Sequence, residues 1–127
     1  MKTLVGKKII NAQINDEHNL VVLDTDDGEY FLTWEGECCS QCYLAHFSGE
    51  EFLVGATILE VNTSEWDRQD DKYDTVETMG TNIKTDKGYV TFESRVEHNG
   101  YYCGWVEVSK KIKPWHSKET FKPLKEF

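Results

Sequence analysis

The segment Tyr89-Val90-Thr91-Phe92-Glu93-Ser94-Arg95-Val96-Glu97 constrains the fold more than any other part of this chain. Val90, Phe92 and Val96 share one face of an extended strand and Thr91, Glu93 and Arg95 the other, because side chains alternate with a period of two. Asp86-Lys87-Gly88 and Asn99-Gly100 bracket the run as turn formers, with further β-prone stretches beyond each. The spacing predicts a three-stranded meander over "TNIKTDKGYVTFESRVEHNGYYCGWVEV". Upstream, Leu20-Val21-Val22-Leu23 and Tyr30-Phe31-Leu32-Thr33-Trp34 flank Asp24-Thr25-Asp26-Asp27-Gly28, which reads as a hairpin. A first strand is expected from about Lys7 to Ile14, and another in "ATILEVNTSEW".

Two stretches lack this alternation. Between Gly36 and Gly55, the apolar positions Tyr43, Leu44, Phe47, Phe52, Leu53 and Val54 fit short helical turns. "DRQDDKYD" is charged and without apolar period, so it reads as an exposed loop. The fold class expected is therefore α+β and β-rich: a mostly antiparallel sheet of about five to seven strands, with one or two short helices between Ser40 and Val54.

Charge divides the chain. The formal net charge is −9, but from Lys110 onward six lysines face only Glu119 and Glu126, a net +4, so residues 1–109 hold −13. The expected organisation is a single acidic domain over 1–109 and a basic C-terminal arm over 110–127. Pro114 and Pro123 predict that the arm crosses the body irregularly instead of extending the sheet. So acidic a body repels phosphate backbones, which argues against direct nucleic-acid binding and for a partner with a basic surface. No stretch approaches the ~20 apolar residues of a membrane span, and none behind Met1 resembles a signal core, so a cytoplasmic protein is expected. Hydrophobic residues form 39% of the chain and aromatics 13%, enough for one core.

Four cysteines, Cys38, Cys39, Cys42 and Cys103, belong in a reducing compartment as thiols, packing residues or ligands. Cys39-Ser40-Gln41-Cys42 with His46 one helical turn beyond could offer three soft ligands to zinc, and Cys103 or His98 could complete a tetrahedral set. Only one such pair exists, so buried or packing cysteines are the preferred reading. A thioredoxin-like role lacks its βαβ context. Asp24 to Glu35 imitates a calcium loop, but its glycine falls one position early and its flanks are strand-like. Glu65, Asp67, Asp70, Asp71, Asp74 and Glu77 could hold Mg²⁺ for phosphoryl chemistry, although exposed carboxylate runs are more often a solvated face. No phosphate loop, nucleophile elbow or Ser/His/Asp arrangement is present. Tyr101, Tyr102 and Trp105 follow the Asn99-Gly100 turn, where packing is preferred over an aromatic recognition surface; Gly104 would let a neighbour approach closely.

Two segments, "GECCSQCYLAHFSGEEFLVGATILEV" and "IKTDKGYVTFESRVEHNGYYCGWVEV", resemble a family of small, uncharacterised proteins from bacteriophages and bacteria. Their shared elements are Gly-x-Cys-Cys-Ser, here Gly36 to Ser40, and Asn-Gly-Tyr-Tyr-x-Gly-Trp, here Asn99 to Trp105. The resemblance covers somewhat under half of the chain, Cys42 departs from the pattern, and the basic tail lies outside it. It implies a phage or mobile-element setting and carries over no functional residue.

The leading expectation is a small non-enzymatic interaction protein, phage-encoded if the resemblance holds, that blocks a basic surface of a host protein such as a nuclease or other defence factor. Glu65, Asp67, Asp70, Asp71, Asp74, Tyr101, Tyr102 and Trp105 would form the contact. The alternative is a small-ligand module, for a nucleotide signal, or a zinc module using Cys39, Cys42 and His46. A metal-dependent phosphoesterase is the second alternative. No cofactor is expected, and self-association is left open.

Overall fold

A computed structural model describes residues 2–37, 40–99, 103–116 and 119–127, excepting the side chains of Lys2 and Trp115. Its nine strands are β1 (Ile9–Asn15), β2 (Leu20–Thr25), β3 (Gly28–Gly36), β4 (Gln41–Ser48), β5 (Ile58–Asp70), β6 (Thr75–Thr85), β7 (Tyr89–His98), β8 (Gly104–Ser109) and β9 (Phe121–Pro123). They form two antiparallel sheets, ordered β8-β3-β2-β1-β9 and β4-β7-β6-β5. Helix among the described residues is confined to single 3₁₀ turns, such as Glu50–Phe52. No helix is long and apolar enough to cross a membrane.

The alternating segment behaves as its pattern requires: Val90, Phe92, Ser94, Val96 and His98 on β7 are all buried. Trp34, Leu32, Leu23 and Ile14 of the first sheet meet Phe92, Val96, Leu44 and Ile83 of the second in one core, with Leu4 and Leu53 closing one end. Trp34 and Phe92 stack obliquely across the sandwich, ring centroids 5.8 Å apart. β2 is buried on both faces. Val21 and Leu23 enter the main core, whereas Leu20 and Val22 join Phe31 on the outer face, under Phe121. That two-sided burial explains the unbroken apolar run at 20–23.

Five expectations need correction. The strands number nine in two sheets, not about five to seven in one. Gln41–Ser48 is a strand, not a helical turn. A bulge between Leu44 and His46 shifts the register, so inward Leu44 and Phe47 stand three residues apart and imitate a helical period. Of the expected loop "DRQDDKYD", residues 67–70 are strand, since β5 continues to Asp70, which pairs with Thr75, and only 71–74 form a turn. As an edge strand exposed on both faces from Asn62 onward, it has no buried face to impose alternation. The meander stops at two strands, because β7's free edge is taken by β4 and β8 crosses to β3 in the other sheet. Finally, the arm does extend a sheet: Phe121–Pro123 pairs with Asn15–Gln13, and Pro123 is tolerated because β9 is an edge.

The Asp27 turn ties three parts of the chain together. Its carboxylate accepts a hydrogen bond from the Tyr30 hydroxyl at 2.7 Å and faces Lys7 at 3.2 Å and Lys110 at 3.3 Å. The Tyr30 hydroxyl first, then the Lys7 and Lys110 ammonium groups, hold the Asp27 carboxyl down at about 2. A carboxyl depressed in the folded state stabilises it above the unfolded value of roughly 3.9, and that contribution is lost as pH falls through the folded value. Asp27→Asn should therefore melt below the parent at neutral pH, with the gap closing between pH 4 and pH 2 in calorimetric scans. Phe92→Ala, which empties the middle of the core, should destabilise by about 3–5 kcal/mol in urea unfolding.

Candidate functional site

The end of the sandwich where β3 leaves the first sheet is stitched by backbone and side-chain bonds between residues far apart in sequence. Gly36 pairs with Gly104, and the Glu37 amide donates to the Cys103 carbonyl at 3.0 Å. The Ser40 amide and hydroxyl both donate to the Glu37 carbonyl, and the hydroxyl also reaches the Cys103 carbonyl at 3.3 Å. Glu37 in turn accepts from the Cys103 amide and, at 2.6 Å, from its thiol. Gly104 is needed here: a Cβ would lie 2.8 Å from Val96 Cγ2, the close approach its sequence position suggested. Thus the two elements of the family resemblance, 36–40 and 99–105, converge on one corner through their described residues.

Beside that corner opens a cavity of about 790 Å³. Trp34, Tyr43 and Trp105 give it aromatic walls, Glu17 and Glu35 carboxylates, and Asn19, Ser40 and Gln41 neutral polar groups. The arm contributes Lys113 and His116. Trp34 is only 2% exposed, and its indole N–H has no acceptor among the described residues. Leaving such a donor buried and unmet costs roughly 1–3 kcal/mol.

Tertiary ion pairs hold the charged wall. Lys113 Nζ lies 3.3 Å from Glu35 Oε1 and 3.3 Å from Glu107 Oε2. Glu107, then Glu35, raise the lysine above its usual range, and the Glu107 carboxyl is lowered by hydrogen bonding with Glu35 and with Lys113. Buried His116 pairs through Nδ1 with Glu119, whose other oxygen accepts from Asn15 Nδ2 at 2.8 Å. Asn15, itself fully buried, donates to Asn19 Oδ1 and accepts from the amides of Asn19 and Leu20. A continuous polar chain therefore runs from the arm to the cavity wall.

The residues singled out from sequence are dispersed. Cys42 turns inward and its thiol lies 3.9 Å from the Trp105 carbonyl, while His46 projects from the opposite face of β4 beside Glu93. They cannot share an ion in this arrangement, and Cys39 lies outside the described residues, as do Cys38, Gly100, Tyr101 and Tyr102. No group of three His, Cys, Asp or Glu able to hold a metal occurs among the described residues. Glu65, Asp67 and Asp70 sit on β5, and Asp71 and Asp74 flank the turn to β6. Asp70 is lowered by the Thr75 hydroxyl and then by Arg68, which also pairs with Glu77 at 2.8 Å. Among the described residues expected to make the contact, Trp105 alone lines the cavity. Sequence reading missed Trp34, Glu35, Asn19, Lys113 and His116 as site residues. Their one sequence signal was a charge, Glu35, directly after an apolar strand; the partners that make it a site are tertiary.

A family model described as a domain of unknown function, DUF7448, matches residues 2–108. The chain belongs to this family. The match ends at the last residue but one of β8, so the arm that supplies Lys113 and His116 lies beyond the DUF7448 segment. The chain is also similar to "Uncharacterized protein L278" of Acanthamoeba polyphaga mimivirus, 28% identical over 121 residues that cover 84% of this chain and 90% of the relative. No solved structure matches.

Burial pushes the Cys42 thiol up to about 12. Only a thiolate reacts, so Cys42 should resist iodoacetamide at pH 8 in the folded protein and react once urea is added. Exposed Cys103, although its hydrogen bond to Glu37 also raises its thiol, should be alkylated before Cys42, as peptide mass mapping would report.

Proposed function

We propose that this DUF7448 protein works by binding, without turnover, and that its ligand is a small nucleobase-bearing molecule of the nucleotide-signal class. The observation that carries the reading is the cavity's own wall, in which Trp34, Tyr43 and Trp105 stand beside Glu17 and Glu35. A nucleobase matches such a wall in shape and polarity. Its exocyclic amine suits the Glu17 or Glu35 carboxylate, and its flat faces suit Trp105 and Tyr43. Lys113 and His116 are the basic residues of the wall, and a phosphate would have to compete with Glu35 and Glu107 for the first and with Glu119 for the second. In the phage setting that the sequence resemblance implies, a protein that holds a host signal without consuming it lowers the free signal by mass action.

A second reading, a protein partner with a basic surface, is supported by the β5–β6 hairpin. Between Ile58 and Thr85 seven carboxylates stand against Arg68, Lys72 and Lys84, a net −4. The lysines Lys110 and Lys113 of the arm are engaged elsewhere, on Asp27, Glu35 and Glu107.

The primary reading is tested with a panel of mononucleotides and cyclic mono- and dinucleotides, using tryptophan fluorescence and native mass spectrometry. At least one should bind and be recovered chemically unchanged. Trp105→Ala, which removes an exposed aromatic wall of the cavity, should weaken it about tenfold, close to 1.4 kcal/mol. If no member of the panel binds at millimolar concentration, or if the folded Trp105→Ala variant binds as well as the parent, the reading fails.

A further inference from the structure

The longest strand of the molecule is also one of its edges. β5 runs thirteen residues, Ile58–Asp70, at the end of the second sheet, with β6 on one side. Ile58 alone is tied on the other side, exchanging backbone bonds with Gly6 and Lys7 at 2.7 and 2.9 Å. From Leu59 to Asp70 no described strand pairs with the outer edge. Every residue of that stretch except Val61 is exposed, Leu59 at 49% and Trp66 at 44% among them. An edge of this length is a template for another strand, and proteins blunt such edges by keeping them short or charging them.

The charges on this edge are of one kind. β5 carries Glu60, Glu65, Asp67 and Asp70 against Arg68, a net −3. Two copies pairing edge to edge would bring both sets of carboxylates together, whereas a cationic strand would neutralise them. Trp66 adds a fixed apolar contact on the outer face: its indole covers Gly80, where a Cβ would lie 1.7 Å from the ring, so only glycine leaves it room. Beyond Asp70 the edge is held open by a short turn, in which the Asp71 amide donates to the Asp74 carbonyl at 2.7 Å.

The geometry points to β5 as a docking edge that a basic, extended segment of another protein joins as a fifth strand. Backbone bonds to residues 59–70 supply the affinity, as in other strand-addition modes of recognition, and lysines or arginines at alternate positions face the carboxylates. This deepens the second reading above, which concerned the acidic hairpin, and is independent of the cavity.

The test uses the full chain and a blocked synthetic peptide of alternating lysine and valine, with a glutamate-valine peptide as control. Backbone NMR should show salt-sensitive binding of the cationic peptide alone, with hydrogen-exchange protection gained by amides between 59 and 70. The variant Glu60→Gln/Glu65→Gln/Asp67→Asn, which leaves the Asp70–Thr75 bond intact, should bind the peptide at least about tenfold more weakly while melting as the parent does. Protection appearing elsewhere, equal binding by the variant, or no binding at all would overturn strand addition. So would a dimer of the free chain whose β5 amides are already protected, since a second copy would then hold the edge. Salt-sensitive recovery of a host protein that needs the same carboxylates but leaves β5 unprotected would keep the acidic-face reading while removing this one. If neither the peptide nor any host protein responds to the carboxylates, both fall.

Discussion

Everything in the molecule is arranged around the burial of Trp34 against Phe92, the contact that joins the two sheets at their centre. Large aromatic pairs of this kind contribute roughly 0.5–1.5 kcal/mol beyond their buried area, and the area itself is most of the reason a sandwich this small holds together. Burying an indole ring normally means satisfying its N–H. Here the ring takes part in the core while its buried N–H meets no acceptor among the described residues. The same residue also contributes to the wall of the cavity.

Much of the architecture was legible because burial on one face leaves an unmistakable trace. Val90, Phe92 and Val96 alternate because β7 is packed on one side, and the Asp27-Gly28 hairpin was readable because its glycine takes a φ of 96°. The failures have definite physical causes. The bulge after Leu44 converts a period of two into an apparent period of three, so β4 looks helical. β5 shows no period because both of its faces meet water. Partner choice between sheets could not be read at all: β8 follows β7 in the chain yet joins β3, and only the Gly36–Gly104 and Glu37–Cys103 bonds reveal why. The site suffered most from this, since Glu35 and Lys113 are 78 residues apart and neither means much without the other.

The uneven charge seen in the sequence acquires a location in the fold. Lys110 and Lys113 fold back onto Asp27, Glu35 and Glu107, so part of the arm's positive charge is spent within the molecule. The arm docks on its own body, with Leu124 buried in the core and Phe127 tilted against His18. The β5–β6 hairpin, in the other sheet, keeps an excess of carboxylates over Arg68, Lys72 and Lys84.

The covering of β2's outer face sets a minimum size for a self-sufficient protein. Leu20, Val22 and Phe31 are sheltered by Phe121, a residue beyond the DUF7448 match, and Leu124, also beyond it, is buried in the main core. A chain ended at Ser109 would keep eight of the strands but bare a contiguous oily patch on water, the kind of surface that drives proteins to clump. The family segment and the foldable unit are therefore not the same length here, and any shortened version intended for expression has to run past Leu124.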